Sequence, residues 1–212
     1  SLRKLLSLAS ERGIPICYQK RAELDRLAGN THHQGVIGMC REFRYASVEE
    51  IVARRPDGAA GDLIVLLDGI RDPQNLGALI RTGHCFGVNG FIIPENRSAS
   101  LTASVLKASA GAMLYTPVAM VVNLVRTIGF LKEQGFWIYG ADVGGATDFQ
   151  AFDKVNRMAL VMGSEGKGIR PLVRKKCDFL ISIPMKGKID SLNVSVAAGI
   201  IIHNVVSKWD KT

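Results

Sequence analysis

Hydrophobic positions in the larger, C-terminal part of the chain fall into short runs that alternate with longer segments of mixed polarity. Six runs are apolar on both faces and rich in β-branched, aliphatic or aromatic residues: 63–67, 91–93, 116–119, 136–139, 158–162 and 179–183. Such strands, separated by helical segments, are typical of a parallel sheet that helices cover on both sides. The pattern therefore predicts one open α/β domain with six parallel strands.

The first part of the chain has the pattern of a smaller α/β module. Its predicted elements are helices over residues 2–9, 21–27 and 48–53 and strands over residues 14–18 and 35–39. Residues 54–61 are rich in turn formers and poor in apolar side chains, so we place a linker there. The predicted organisation is a domain over residues 1–53, a linker over 54–61 and a second domain over 62–212.

The net charge of +8 favours partners that carry phosphate, such as RNA. An ordinary basic surface has the same composition, so charge alone specifies no partner. His32 and His33 lie near the predicted linker, where we expect them to be exposed and without a catalytic role.

The spacing of the cysteines favours neither a zinc site nor a disulfide framework. Cys17, Cys40, Cys85 and Cys177 are widely separated and form no Cys-x-x-Cys pair, so we expect reduced thiols and no bound metal. No apolar run approaches the roughly 20 residues that span a bilayer, and no apolar signal core begins the chain. We therefore expect no membrane association and a cytoplasmic location, or an organelle matrix in a eukaryote.

Polar residues follow the strand predicted at 63–67. The chain turns after Asp68, and a helix predicted to begin near Gln74 carries Asn75 and Arg81. Ligands bind at the carboxyl edge of open α/β sheets, which makes both residues candidates for a site. Taken alone, Asn75 is better suited to cap the helix, and Arg81 to lie in solvent or to pair with a surface carboxylate.

A glycine-rich turn, Gly-Ser-Glu-Gly-Lys-Gly at residues 163–168, follows the strand predicted at 158–162. Its spacing matches neither the dinucleotide-binding fingerprint nor the P-loop. The glycines allow the backbone to approach a ligand closely, or they simply form a tight turn. Glu165 is also suited to the first turn of a helix, where the macrodipole favours a carboxylate.

The last predicted helix opens at Ser191, Leu192 and Asn193, after a basic loop. Ser191 is a good candidate for its N-cap. Small residues between Ser195 and Gly199 allow close packing against another helix, and this packing would be a sufficient reason for their presence.

Together, these three stretches resemble, in order and in wording, the three motifs of the SpoU (TrmH-type) RNA ribose 2′-O-methyltransferases. Asn75, Gly77, Arg81 and Thr82 form the Asn-x-Gly-x-x-x-Arg-Thr pattern of motif 1, and the other two stretches match motifs 2 and 3. The resemblance extends over residues 63–208. Within the family, the chain looks most similar to bacterial members that methylate a guanosine ribose in the peptidyl-transferase region of 23S ribosomal RNA.

The resemblance implies a SPOUT-type α/β fold with a deep C-terminal trefoil knot, a homodimer, S-adenosylmethionine as cofactor and RNA as substrate. The first domain resembles the RNA-binding module of ribosomal protein L30e. Residues before Ser1 would supply the first strand and helix of such a module, so we expect this copy to be incomplete at its N-terminus.

The resemblance also implies roles for individual residues. The implied catalytic residues are Asn75, Arg81, Glu165, Ser191 and Asn193. The implied cofactor-binding residues are Gly163, Ser164, Gly168, Ile183, Met185, Leu192, Asn193 and Ser195. Because a guanidinium has a pKa above about 12, Arg81 is suited to stabilise negative charge rather than to act as a general base.

Two other functions stay open from the sequence. One is 2′-O-methylation of tRNA or of an antibiotic-resistance site in ribosomal RNA. The other is a non-catalytic RNA-binding or ribosome-assembly protein that retains the fold.

Overall fold

The computed structural model describes residues 2–29, 33–39, 42–58, 60–145, 147–148 and 155–210. The chain divides into two compact units, Ser1–Glu42 and Phe43–Thr212. The proposed boundaries at 1–53, 54–61 and 62–212 stay a prediction. The predicted helix at 48–53 is present, and its buried residues Ile51 and Val52 belong to the core of the larger unit.

The smaller unit contains two helices, α1 (Leu2–Glu11) and α2 (Arg21–Ala28). The strands predicted at 14–18 and 35–39 are wrong, because no described residue of either segment is in a strand. Ile14 and Ile16 are exposed, so this run lacks the partner strand and the buried face that a β-ladder needs.

The expected exposure of the histidines is wrong for His33. Its side chain is only 4 % exposed, and its Nε2 lies 2.9 Å from Asp25 Oδ1. His32 lies outside the described residues.

A parallel sheet forms the centre of the larger unit. Its strands are β1 (Asp62–Asp68), β2 (Gly90–Pro94), β3 (Val118–Val121), β4 (Trp137–Ala141), β5 (Thr147–Asp148), β6 (Arg157–Gly163) and β7 (Phe179–Ser182). They follow the order β3-β2-β1-β6-β4-β7-β5, and every pair is parallel. The six predicted strands and the α/β fold class are confirmed, and the two-residue β5 is an addition at the edge.

Helices cover both faces of this sheet. They are α3 (Val48–Ala53), α4 (Pro73–Cys85), α5 (Ala103–Ala108), α6 (Leu124–Glu133), α7 (Pro171–Arg174) and α8 (Val194–Asp210). All seven residues of β1 are buried, with Leu63, Val65 and Leu67 in one core cluster and Ile64 and Leu66 in the other. Burial on both faces explains why these strands have continuous apolar runs instead of alternating patterns.

The two core clusters divide the helices between the two faces. Residues of α4, α5 and α8 belong to the cluster of Leu63, Val65 and Leu67, whereas residues of α3, α6 and α7 belong to the other.

No described helix combines the length and the apolar character that crossing a membrane requires.

The cysteines that the structure describes are free thiols. Cys17 and Cys85 are exposed, whereas burial raises the pKa of Cys177 to about 11, with a further contribution from the charge of Asp178. Cys40 lies outside the described residues.

An ion pair between a buried carboxylate and a half-exposed arginine joins the end of β1 to the segment after β6. The Asp68 side chain is fully buried, and its carboxylate accepts bonds from the Arg170 backbone N–H at 2.8 Å and from Arg170 Nε at 2.6 Å. A buried carboxylate without donors would be costly, so these bonds fix the segment that carries the glycine-rich turn.

Gly77 permits the close approach of α4 to α5. A Cβ atom at Gly77 would lie 2.4 Å from Ala108 Cβ and 2.9 Å from Ser109 N. By contrast, a Cβ atom at Gly129 in α6 would meet nothing within 4 Å.

These two glycines make a matched pair for a stability test. Gly77→Ala should lower the free energy of unfolding by about 1–3 kcal/mol through overpacking, although alanine favours a helix. Gly129→Ala should raise it by up to about 1 kcal/mol through helix propensity. Urea denaturation followed by tryptophan fluorescence measures both, since Trp137 and Trp209 lie in the larger unit. A Gly77→Ala variant as stable as the parent would contradict the close packing of α4 on α5.

The ion pair between Asp68 and Arg170 supports a second stability prediction. Asp68→Asn should cost about 1–3 kcal/mol, because the substituted amide cannot accept both bonds from Arg170 as a carboxylate does. Arg44→Gln is the control, since Arg44 is 85 % exposed in its pair with Glu50 and should change stability by less than about 1 kcal/mol. Equal effects of the two substitutions in urea denaturation would contradict the assigned role of Asp68.

Candidate active site at the carboxyl edge of the sheet

Three polar side chains from separate segments meet at the carboxyl edge of the sheet. Asn193 Nδ2 donates to Glu165 Oε1 at 2.7 Å and to Asn75 Oδ1 at 2.9 Å. Asn75 Nδ2 donates to the same Glu165 oxygen at 3.2 Å. We call Asn75, Glu165 and Asn193 the amide–carboxylate cluster, and each of the three sequence motifs contributes one member to it.

Capping at the start of α4 leaves Asn75 free to join this cluster. Asp72 Oδ1 accepts from the Gln74 N–H at 2.9 Å, and Pro73 is the first helical residue. Asp72 is therefore the N-cap of α4, and the alternative interpretation of Asn75 as the N-cap is wrong.

Asn193, rather than Ser191, caps α8. Helix α8 begins at Val194, later than the sequence predicts, so Asn193 is the residue that precedes it. Its Oδ1 accepts from the Ser195 N–H at 3.0 Å and from Ser195 Oγ at 2.6 Å. The carboxamide therefore uses its oxygen for the helix and its nitrogen for the cluster.

Glu165 lies in a tight turn rather than in a helix. Ser164 N–H donates to Gly168 O at 3.1 Å, and Gly168 N–H donates to Ser164 O at 2.9 Å. A Cβ atom at Gly163 would lie 2.2 Å from the carbonyl carbon of Gly168, so only glycine permits this closure. The helix-start interpretation of Glu165 is wrong, since the next helix begins at Pro171.

A cavity of about 400 Å³ lies beside this turn. Its size falls within the roughly 300–1,000 Å³ of small-molecule sites. Six predicted cofactor-binding residues line it: Gly163, Ser164, Gly168, Ile183, Met185 and Leu192. Ser191 and Glu165 line it too, whereas Asn193 and Ser195 lie outside its lining.

The walls of this first cavity combine apolar and anionic character. Ile181, Ile183 and Leu192 offer apolar surface, and Asp142 and Asp190 add carboxylates. Burial disfavours the charged form of Asp142, but hydrogen bonds from Arg174 and the Gly144 N–H outweigh it, so the pKa of Asp142 is lowered. A flat apolar group and a cationic group would both find complementary surfaces here.

A second cavity of about 510 Å³ lies on the other side of the turn. Asn75 and Glu165 line it together with four basic side chains: Arg71, Arg97, Lys167 and Arg170. Glu165 borders both cavities. The amide–carboxylate cluster therefore stands where contents of the two cavities would meet.

The structure does not bring Arg81 into this cluster. Arg81 is exposed, lines neither cavity and makes no hydrogen bond or ion pair within the described part of the chain. Arg81 follows Asn75 by six residues on α4. It therefore lies about 9 Å from Asn75 along the helix axis and on a different face of the helix.

Sequence reasoning missed several residues that line the cavities. Asp142 directly follows β4, and Asn96 and Arg97 follow β2. The rule that ligands bind beyond the carboxyl ends of parallel strands could have found them. Arg170 carried no such sign, because its place depends on Asp68, which is distant in sequence.

No group of three or more His, Cys, Asp or Glu residues that could hold a metal ion occurs in the described ranges.

Comparisons with known proteins agree with this geometry. Residues 62–203 match the SpoU rRNA Methylase family, and residues 1–46 match the family described as RNA 2′-O ribose methyltransferase substrate binding. A Bacillus subtilis protein assigned to the TrmH family of tRNA/rRNA methyltransferases, YacO, is 41% identical over 206 residues, which are 97% of this chain and 82% of the relative.

Solved structures show the same relationship. The SpoU methyltransferase AviRb from Streptomyces viridochromogenes, in complex with S-adenosylmethionine, superposes with a TM-score of 0.72 at 26% identity, covering 81% of this chain and 68% of that one. An rRNA methyltransferase from Sinorhizobium meliloti, also bound to S-adenosylmethionine, has a TM-score of 0.70 at 27% identity and covers 79% and 62%.

These findings confirm the predicted family and, at the level of the family, the predicted cofactor. The matched residues include the whole amide–carboxylate cluster and both cavities that border it. The chain therefore belongs to the SpoU rRNA Methylase family of S-adenosylmethionine-dependent RNA methyltransferases.

Proposed function

We propose that this protein transfers a methyl group from S-adenosylmethionine to a ribose 2′-hydroxyl of RNA, with a guanosine of 23S ribosomal RNA as the favoured substrate. The observation that supports this function most directly is the amide–carboxylate cluster between two cavities of different character. One cavity offers apolar and anionic walls, and the other offers basic ones.

The first cavity has the chemistry that the cofactor requires. Apolar side chains such as Ile183 and Leu192 suit an adenine ring, and the carboxylate of Asp190 suits a positive charge of the cofactor, whereas that of Asp142 already binds Arg174. When bound, S-adenosylmethionine would supply an electrophilic methyl carbon. As the ribose oxygen bonds to that carbon in line, the carbon–sulfur bond would break and S-adenosylhomocysteine would leave.

The residues of this chain would orient the nucleophile. Asn75 and Glu165 line the basic cavity, where their side chains would hold the ribose at the border with the first cavity. Asn193 holds both in place through its carboxamide nitrogen, and Ser191 lies on the wall of the first cavity. Positioning of this kind supplies a large part of the acceleration in a two-substrate reaction.

We assign Arg81 an electrostatic role. Because Arg81 lies apart from the amide–carboxylate cluster, we propose that its permanent charge binds a phosphate of the RNA, and that the proton of the 2′-hydroxyl leaves to phosphate or water. The exposed position of Arg81 on α4 suits contact with a large substrate. The homodimer, the trefoil knot and the cytoplasmic location are proposed with this function on the strength of the family resemblance.

Methylation of tRNA is the second candidate. The Bacillus subtilis relative is described as a tRNA/rRNA methyltransferase, so its name favours neither substrate. The match of residues 1–46 to a substrate-binding family agrees with an RNA substrate of either kind.

Transfer of labelled methyl to unmodified 23S rRNA fragments and to bulk tRNA, in parallel and followed by mapping, tests this function. We expect label on a ribose of 23S rRNA and about a 100-fold lower rate for Glu165→Gln, because the neutral amide disturbs the cluster. Glu133→Gln, on the exposed end of α6, is the control and should leave the rate unchanged. Label in tRNA alone would select the second candidate, and failure to bind S-adenosylmethionine in calorimetry would favour a non-catalytic RNA-binding protein.

Substitutions of Arg81 test its electrostatic role. Arg81→Lys keeps the charge and should retain partial activity, whereas Arg81→Ala should lose about 100-fold or more. Calorimetry with S-adenosylmethionine should give the parent affinity for both variants, since Arg81 does not line the first cavity. Equal loss of activity in both variants would show that charge alone is not its contribution.

A further inference from the structure

Arg97 has a backbone conformation that favours glycine. Its φ of +65° lies in the left-handed region, and the other described non-glycine residues with positive φ are Gln34 and Ala110. Long side chains rarely adopt this conformation, and such strain is concentrated at functional sites. An arginine therefore occupies a position where glycine would fit the backbone with less strain.

Neighbouring loops hold Arg97 in this conformation. The Ala99 N–H donates to Ile70 O at 2.8 Å, which ties the loop after β2 to the loop after β1. That second loop passes close to the glycine-rich turn, since a Cβ atom at Gly69 would lie 3.5 Å from Ser164 Cβ. The backbone thus directs Arg97 to the wall of the second cavity, which it lines.

The second cavity is lined by four cationic and three anionic side chains, and three of the cations pair with no carboxylate of the described residues. Asp68, Asp72 and Glu165 also line it, but Asp68 binds Arg170, Asp72 caps α4, and Glu165 accepts bonds from two asparagines. Arg71, Arg97 and Lys167 make no hydrogen bond or ion pair among the described residues. Three cationic side chains therefore face this cavity without a carboxylate of their own.

The cofactor cavity does not account for the two unpaired arginines. Arg71 and Arg97 line the second cavity but not the first, whereas Lys167 lines both. An RNA substrate, by contrast, has a phosphate on each side of every ribose. Arginine binds phosphate with a planar set of donors, in charge-assisted hydrogen bonds.

We propose that the second cavity binds a phosphodiester group of the RNA next to the ribose at the amide–carboxylate cluster, with Arg97 as the anchoring residue. This inference rests on the proposed function, because it names the part of the substrate that the basic cavity holds. The contact with that phosphate would explain why an arginine, rather than a glycine, occupies this left-handed position.

Arg97→Gly separates binding from folding. Because glycine relieves the backbone strain, the variant should have a Tm that is unchanged or higher, whereas a structural arginine would give a lower one. Affinity for an unmodified 23S rRNA fragment, measured with S-adenosylhomocysteine present, should fall by about fivefold to tenfold. The slope of log Kd against log salt concentration should decrease by about 0.7, as for loss of one phosphate contact on a single strand. Affinity for S-adenosylmethionine should stay at the parent value.

Three further variants serve as matched comparisons. Arg97→Lys keeps the charge and should retain the parent salt slope. Ala110→Gly changes the other described non-glycine residue of the larger unit with a positive φ and should leave RNA affinity unchanged. Arg126→Gln removes one positive charge from the exposed side of α6, which packs on the opposite face of the sheet from α4, and should also leave the slope unchanged.

Several outcomes would overturn the phosphate site. The Arg97→Gly variant could bind RNA as tightly as the parent, or lose no more RNA affinity than Arg126→Gln does. It could also have a lower Tm than the parent, or lose affinity for S-adenosylmethionine as much as for RNA. If the parent protein itself neither binds nor methylates RNA, the proposed function fails as well. If the parent methylates RNA and Arg97→Gly binds RNA as the parent does, only the proposed phosphate site is disproved.

Discussion

The parallel pairing of β1 with β6 is the constraint on which the rest of the structure depends. The two strands lie far apart in the chain, yet they are in register along their whole length, with Asp68 opposite Gly163. That register brings the segment after β1, with Asn75, beside the segment after β6, with Glu165. A shift of one residue would turn every side chain of these strands to the other face and separate the two motifs.

Polar groups at this edge satisfy one another in a way that rigidifies the site. Asp68 receives two bonds from Arg170, and Glu165 receives two from the asparagines. A site whose donors and acceptors are already aimed needs little rearrangement when a substrate arrives, and such preorganisation is the main electrostatic contribution to catalysis. The same cluster lies between a cavity lined by Asp190 and one lined by Arg71 and Arg97, so under the proposed function a cationic cofactor and an anionic RNA would meet there from opposite sides.

The sequence predicted most of the sheet and much less of the site. Continuous apolar runs such as residues 158–162 identify buried parallel strands, because both faces of these strands are covered. The strands predicted at 14–18 and 35–39 are absent, since an apolar run without a partner strand forms no ladder. Local rules favoured Asn75 and Ser191 as caps, whereas Asp72 and Asn193 fill those places. Arg97 was missed although it follows β2 at the edge where ligands bind, and Arg170 was missed because Asp68, which positions it, is distant in sequence.

The dual use of Asn193 restricts how this protein can vary. Helix caps ordinarily tolerate exchange among Ser, Thr, Asp and Asn, since each offers an oxygen to the first turn. At this cap, serine would lack the side-chain nitrogen that donates to Asn75 and Glu165. Aspartate would place a second carboxylate next to that of Glu165, and the two negative charges would repel each other. Substitutions that are neutral for the helix are therefore harmful to the cluster. A lineage that no longer needed the cluster could change this residue freely and keep its fold, so the identity of the α8 cap distinguishes a working enzyme from a retained scaffold among relatives of this chain.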